Sequence, residues 1–118
     1  VLRPEVRYAS AEDGTAIAYS VVGDGPITIV LVSPLTSHLE VIWEEPALEH
    51  LISRLAVCSR VVLFDRRGVG LSDPSPVPGE VAGLPRLAAD AAAVLDSCDT
   101  RAAVLMGVTF GAALAVQF

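Results

Sequence analysis

The sequence predicts an α/β fold: a mostly parallel sheet with an antiparallel hairpin at its start and helices on both faces. Three observations carry this. Residues 27–32, Ile-Thr-Ile-Val-Leu-Val, are β-branched and apolar on both faces, the mark of a central strand covered on both sides. Segments with helical apolar spacing alternate with strand-like runs through the later part of the chain, which implies parallel pairing through right-handed crossovers. The opening instead carries a tight-turn signal, Asp13-Gly14, between two short strand-like runs, which predicts a hairpin at one edge of the sheet.

Taken in order, residues 7–10 form the first strand and residues 15–22 its partly alternating return. Gly23-Asp24-Gly25-Pro26 breaks that run before the central strand. Residues 33–38 are a loop. Residues 40–56 read as a helix whose apolar stripe is Val41, Leu48, Leu51, Ile52 and Leu55, with Pro46 able to divide it into a short first turn and a second helix. Residues 60–64 are another buried strand, followed by a glycine-rich turn, residues 65–73, and a proline-rich surface loop, residues 74–78. A helix over residues 84–98 buries Leu87, Ala91, Val94 and Leu95, and residues 101–106 are the last strand. No internal repeat, low-complexity tract or linker interrupts this order, so the chain is a single partial domain, residues 1–118.

Composition narrows the functional classes. The net charge is −6, and all eight basic residues are arginine. No basic stripe is available for nucleic acid. No apolar run reaches the length of a membrane span, and the opening residues lack a signal-peptide core; a cytoplasmic protein with no membrane partner is the expectation. Cys58 and Cys98 lie far apart in apolar helical patterns, which predicts buried thiols rather than a metal site or a catalytic cysteine. Hydrophobic residues make up 53% of the chain, high for a small domain that must cover its own surface. With residues 114–118 stopping inside an uncapped helical pattern, the expectation is the apolar part of a longer α/β protein.

The stretch over residues 104–114 carries the chemistry. It reads as a buried strand, a sharp turn and a helix start, with Gly107 and Gly111 two residues on either side of Thr109. That is the G-x-S-x-G spacing of a nucleophile elbow, with threonine in the serine position. The middle residue of such a turn takes positive φ and projects above the sheet, and its neighbours two away must be small. The next N–H, that of Phe110, faces the same space at a helix N-terminus, where negative charge is favoured.

Together, Asp65-x-Arg67-Gly68-x-Gly70-x-Ser72 and Gly107-x-Thr109-x-Gly111, about forty residues apart, resemble the α/β-hydrolase fold family. The opening hairpin, the loop Pro34-Leu35, and Ser37-His38-Leu39-Glu40 with Trp43-Glu44 fit the same pattern and are similar to a bacterial branch often fused to nucleotide-cyclase or helix-turn-helix regulatory domains. The resemblance covers nearly the whole chain and the N-terminal half of the family's fold. It implies a nucleophile at Thr109 and backbone oxyanion donors at Leu35 and Phe110, with no metal or organic cofactor. The family's acid and histidine follow the elbow, and only nine residues follow Thr109 here, so the expectation is a truncated segment, inactive by itself for want of a complete triad. Two positions depart from the pattern. Ser33-Pro34 stands where the family commonly has His-Gly or Pro-Gly, and proline's fixed φ reshapes the loop carrying Leu35. Thr109 brings a β-branched side chain to a backbone conformation such residues avoid.

Plainer readings stand beside each of these. Thr109 either supplies a hindered nucleophile or fills a tight turn. The glycines of residues 65–73 shape a strand-to-loop turn in which Asp65 and Arg67 bond nearby backbone; the spacing is not that of a dinucleotide or Walker loop. His38 makes a polar loop contact or lines the pocket, and His50 sits on a solvated helix face. Glu40, Glu44 and Glu45 complement a helix dipole, and Trp43 is core or pocket wall.

The resulting expectation is an α/β-hydrolase-like protein whose parent hydrolyses an ester or related small molecule through the elbow nucleophile. The alternative is a non-catalytic, ligand-sensing domain of a signalling or transcription-regulatory protein. In either case the partner is a small-molecule substrate or ligand, with a fused regulatory domain in the parent under the second reading. The last strand is also expected to be a bare apolar sheet edge that makes the isolated 118 residues poorly soluble.

Overall fold

The computed structural model describes residues 3–33 and 36–118. A hairpin opens the chain, β1 (Arg7–Ser10) and β2 (Ala16–Val22), followed by β3 (Ile27–Val32), a short 3-10 turn (Val41–Glu44) and α1 (Pro46–Leu55). Then come β4 (Ser59–Phe64), α2 (Leu84–Ser97), β5 (Val104–Gly107) and α3 (Phe110–Gln117). The five strands form one sheet in the order β1-β2-β4-β3-β5. The hairpin is antiparallel, and β2 also joins β4 antiparallel; β4, β3 and β5 run parallel. The sheet is therefore mixed, with its parallel half leading to the candidate site.

The period-two alternation of the central strands divides the core into two layers. Val30, Val32, Val62 and Phe64 face one side with Ile17 and Tyr19, where α2 contributes Leu87, Ala91, Val94 and Leu95 and α3 contributes Leu114. Leu31, Val61 and Leu63 face the other with Ala18, covered by Ile52 of α1 and by Leu39. Helices thus lie on both faces, as expected.

Four details differ from the sequence reading. Pro46 divides residues 40–56, as its position allowed, and starts α1 at its first residue, where proline's missing N–H costs nothing. The expected single stripe is also not buried as one: within α1 Ile52 is fully buried while Leu48 and Leu51 are exposed, as is Val41 of the 3-10 turn. Cys58 lies in the turn after α1 and is exposed rather than buried; Cys98 is half-buried at the end of α2. The last strand begins at Val104 rather than residue 101, and Val104 is itself exposed on the outermost strand.

The fourth difference concerns Arg67. It does not bond nearby backbone. Its Nε and NH2 donate to the two carboxylate oxygens of Asp90 at 2.6 and 2.8 Å, and NH1 donates to Asp13 at 2.8 Å and to Ser75 at 3.0 Å. Only 2% of either the Arg67 or the Asp90 side chain is exposed. This fork joins the hairpin turn, the glycine-rich loop and the middle of α2. The sequence reading passed over Asp90, although a lone carboxylate one turn from Leu87 on an apolar helix face is itself a signal of a buried partner. Asp90 first, and Asp13 second, hold the guanidinium charged and raise its pKa.

Removing one partner strands the other charge in the core. Asp90→Ala is expected to cost about 3–5 kcal/mol, read from urea midpoints of the intact protein. Replacing both partners by apolar residues (Arg67→Met with Asp90→Leu) should cost less than Asp90→Ala alone. Asp13 adds a pH dependence. Hydrogen bonds from Arg67 first, and Thr15 next, hold its carboxyl well below the ordinary range. A carboxyl depressed in the folded state stabilises above its unfolded pKa, so this contribution is lost as pH falls below about 4. The drop in urea midpoint between about pH 7 and about pH 3 should be smaller in Asp13→Asn than in the unmodified protein.

Candidate functional site

Two backbones cross at the end of β5. A Cβ on Gly107 would lie 2.3 Å from the Gly111 carbonyl oxygen, and one on Gly111 would lie 2.2 Å from that of Val32. The first turn of α3 is therefore pressed onto its own strand and onto the end of β3, at a separation only glycine allows. The chain between them reverses sharply. Thr109 takes φ 55° and ψ −118°, conformational space that β-branched residues avoid, at a cost of about 1–3 kcal/mol. Two bonds hold the turn: Gly111 N–H donates to the Val108 carbonyl at 2.9 Å, and Ala112 N–H donates to that of Thr109 at 3.0 Å.

Thr109 is the N-cap residue of α3, yet its side chain makes no capping hydrogen bond to the helix. A threonine at an N-cap ordinarily uses its hydroxyl that way. Here the hydroxyl is on an exposed residue above the carboxyl ends of the parallel strands. Phe110 is the first residue of α3, so its N–H is among the donors at the positive end of the helix. Leu35, the other expected oxyanion donor, lies with Pro34 outside the described residues.

The glycine-rich loop forms the adjoining wall. Asp65 is fully buried at the end of β4. One oxygen accepts from the Ser37 hydroxyl at 2.6 Å; the other accepts from the backbone N–H groups of Leu39 at 3.2 Å and Leu71 at 3.0 Å. A single carboxylate so ties the loop after β3 to the loop after β4. Gly70, at φ 56°, is needed there because a Cβ would lie 2.2 Å from that carboxylate. Arg66 is buried, and burial lowers its pKa. Its guanidinium carbon lies 4.9 Å from the centre of the Phe110 ring, a cation–π contact that holds the residue after Thr109 against this loop.

Next to the turn is a groove of about 510 Å³. Val108 lies on its wall together with Leu31, Val41, Leu48 and Leu51. The exposed half of the 41–55 segment is thus the side of an apolar trough. Ser37 and His38 line it as well. His38 Nδ1 accepts from the backbone N–H groups of Glu40 at 3.2 Å and Val41 at 3.4 Å, so the expected polar loop contact and the expected place in the pocket wall both occur.

Of the remaining candidates, Glu45 is also on the groove wall and the others sit elsewhere. His50 is exposed on α1, and Glu40 and Glu44 are exposed beside the 3-10 turn. Glu45 caps α1 by accepting from Ala47 N–H at 3.3 Å, and Trp43 packs against the second core layer. Among the described residues, no three His, Cys, Asp or Glu side chains converge on a metal position, and no helix is long and apolar enough to cross a membrane.

No family model and no curated protein matches the sequence. Solved structures do. The chain is similar to an α/β hydrolase from Sphaerobacter thermophilus, at 32% identity and a TM-score of 0.74 over 93% of this chain and 38% of that one. It is similar to an esterase from Rhodococcus at 30% identity and a TM-score of 0.77, over 95% of this chain and 39% of the esterase. An enol-lactonase from Burkholderia xenovorans shares 25% identity with a TM-score of 0.77, over 93% of this chain and 40% of its own. The chain therefore spans about two fifths of the length of these relatives.

The crossing makes a test of geometry without chemistry. Gly107→Ala and Gly111→Ala each add one methyl where a backbone carbonyl already stands, and each should cost about 1–3 kcal/mol or more of stability, read from the shift in urea midpoint. Gly14→Ala, where the added Cβ meets nothing within 4 Å but φ is +86°, supplies the comparison for conformational strain alone.

Proposed function

We propose, for a chain that belongs to the α/β-hydrolase fold family, that Thr109 is the nucleophile of a protein that hydrolyses an ester or lactone with an apolar acyl portion. The observation that carries this reading is the Thr109 backbone. A β-branched residue is held at φ 55° between two glycines that cannot be replaced without collision, and its hydroxyl is not spent on capping the helix it precedes. Strain of this kind persists only where the surroundings over-determine it. An exposed hydroxyl at a helix N-terminus is what attack on a carbonyl carbon requires, because the helix end favours the negative charge that develops.

In this mechanism the acyl portion lies in the apolar groove beside Val108. The Thr109 oxygen attacks the carbonyl carbon, and the Phe110 N–H donates to the oxygen on which charge accumulates. Arg66, packed on the Phe110 ring, steadies that donor and keeps a buried positive charge on the same wall. The Thr109 proton passes to a general base supplied by the rest of the protein, in the manner of the family's histidine. The base returns it to the alcohol oxygen as the ester C–O bond breaks, and water then cleaves the Thr109 acyl ester, releasing the acid and restoring the hydroxyl. The threonine methyl crowds the attack, so the reaction is slower than a serine would run it.

The substitution series at one position decides between chemistry and mere turn-filling. In the intact protein, Thr109→Ala should lower turnover of 4-nitrophenyl hexanoate by on the order of a thousandfold or more, and Thr109→Ser should raise it. Unchanged turnover in Thr109→Ala removes the residue from the mechanism. Absence of any turnover, with hexanoate still binding, favours the ligand-sensing alternative.

A further inference from the structure

We infer that His38 is a substrate-binding residue, an imidazole that donates one hydrogen bond from Nε2 to a carbonyl oxygen of a small molecule lying in the groove beside Thr109. This rests on the Thr109 turn being the reaction centre and adds what the groove selects.

The ring's hydrogen bonds assign its proton. Nδ1 accepts from the N–H groups of Glu40 and Val41, so in the neutral imidazole the proton is on Nε2. The residue is held through its backbone and its neighbours as well as through Nδ1. Its own carbonyl accepts from Ile42 N–H at 2.9 Å, which closes a turn over residues 38–42. Its two neighbours are fastened to the buried Asp65, Ser37 through its hydroxyl and Leu39 through its backbone N–H. The ring therefore has no freedom to exchange its nitrogens without breaking the turn it caps.

The other polar side chains of the trough differ in this respect. Ser37 directs its hydroxyl proton at Asp65, and Glu45 accepts from Ala47 at the start of α1. Ser33 and Thr36 carry hydroxyls, whose protons rotate to suit any partner. Among the described side chains of the trough, only His38 has one ring nitrogen tied to backbone and the other left as a donor, in a groove also lined by Val41, Leu48, Leu51 and Val108. A fixed donor among apolar walls selects a ligand with an apolar chain and an acceptor. Esters, lactones and ketones satisfy it. A primary ammonium compound offers donors only and would leave Nε2–H facing another proton, which costs binding.

A ketone cannot be hydrolysed, so 2-octanone reads the groove independently of turnover. Histidine-selective 15N spectra of the intact protein should place the His38 proton on Nε2, and 2-octanone should move that signal. In His38→Asn the amide oxygen reaches the Glu40 and Val41 N–H groups, while nothing reaches the Nε2 position. Affinity for 2-octanone should fall about fivefold to tenfold, the worth of one hydrogen bond. His38→Gln places an amide nitrogen near Nε2 and should bind within about twofold of the unmodified protein, provided its melting curve remains cooperative. Equal affinity in His38→Asn, a proton on Nδ1, or no binding of 2-octanone to the unmodified protein would each overturn the proposal. Loss of the Thr109 mechanism with His38-dependent ketone binding intact would sink the hydrolase reading, and with it the groove as a substrate site, while leaving His38 as a ligand-binding residue.

Discussion

The structure depends on how closely a helix can approach the sheet that precedes it. Where α3 begins, its backbone passes over the ends of β5 and β3 with no room for a single Cβ at Gly107 or Gly111. That crossing leaves the three intervening residues no smooth path. The reversal is concentrated at Thr109, whose φ of 55° is the geometric remainder of the constraint. Close approach also places a helix N-terminus at the carboxyl ends of parallel strands, where its backbone donors and dipole act on whatever is bound there. Strain, exposed hydroxyl and oriented N–H are thus consequences of one contact between backbones.

Everything around the crossing serves to keep the neighbouring loops in place. Two buried carboxylates do most of this. Asp65 collects donors from the loop after β3 and from its own loop, so one carboxylate fastens both. Asp90 reaches from the middle of α2 to grip Arg67, and Asp13 closes the fork from the hairpin turn. A buried ion pair is weak evidence of net stability, since desolvation offsets most of the attraction. Its effect here is positional: one guanidinium joins the hairpin turn, the glycine-rich loop and the middle of α2. Arg66, the residue before the fork, is then delivered onto the Phe110 ring.

The parts of the fold written in local pattern were readable in advance. The β-branched run of β3, the Asp-Gly hairpin and the stripe of Leu87, Ala91, Val94 and Leu95 each need only their own neighbours to be recognised, and each is where the pattern puts it. The Gly107-x-Thr109-x-Gly111 spacing was equally legible, because small residues flanking a polar one at a strand-to-helix junction have few other uses. The 41–55 segment was not. Its apolar residues fit one helical stripe on paper, but the break at Pro46 separates Val41 from α1, and within α1 only Ile52 is fully buried while Leu48 and Leu51 line a groove. Cys58 escaped for a similar reason: α1 ends before it, so its place in the apolar spacing is no guide to burial.

By itself the sequence determined the order and type of the elements, the sharp turn and the identity of the residue at its apex, because these follow from periodicity and from the steric limits of glycine and proline. Only the tertiary structure decided which charges pair and which apolar residues stay outside. Arg67 meets Asp90 across 23 positions and Asp13 across 54. His38 owes its fixed orientation partly to neighbours fastened on Asp65, more than 25 residues away. Those partnerships are set by the stacking of loops above the sheet, a long-range arrangement that leaves no period or spacing in the chain.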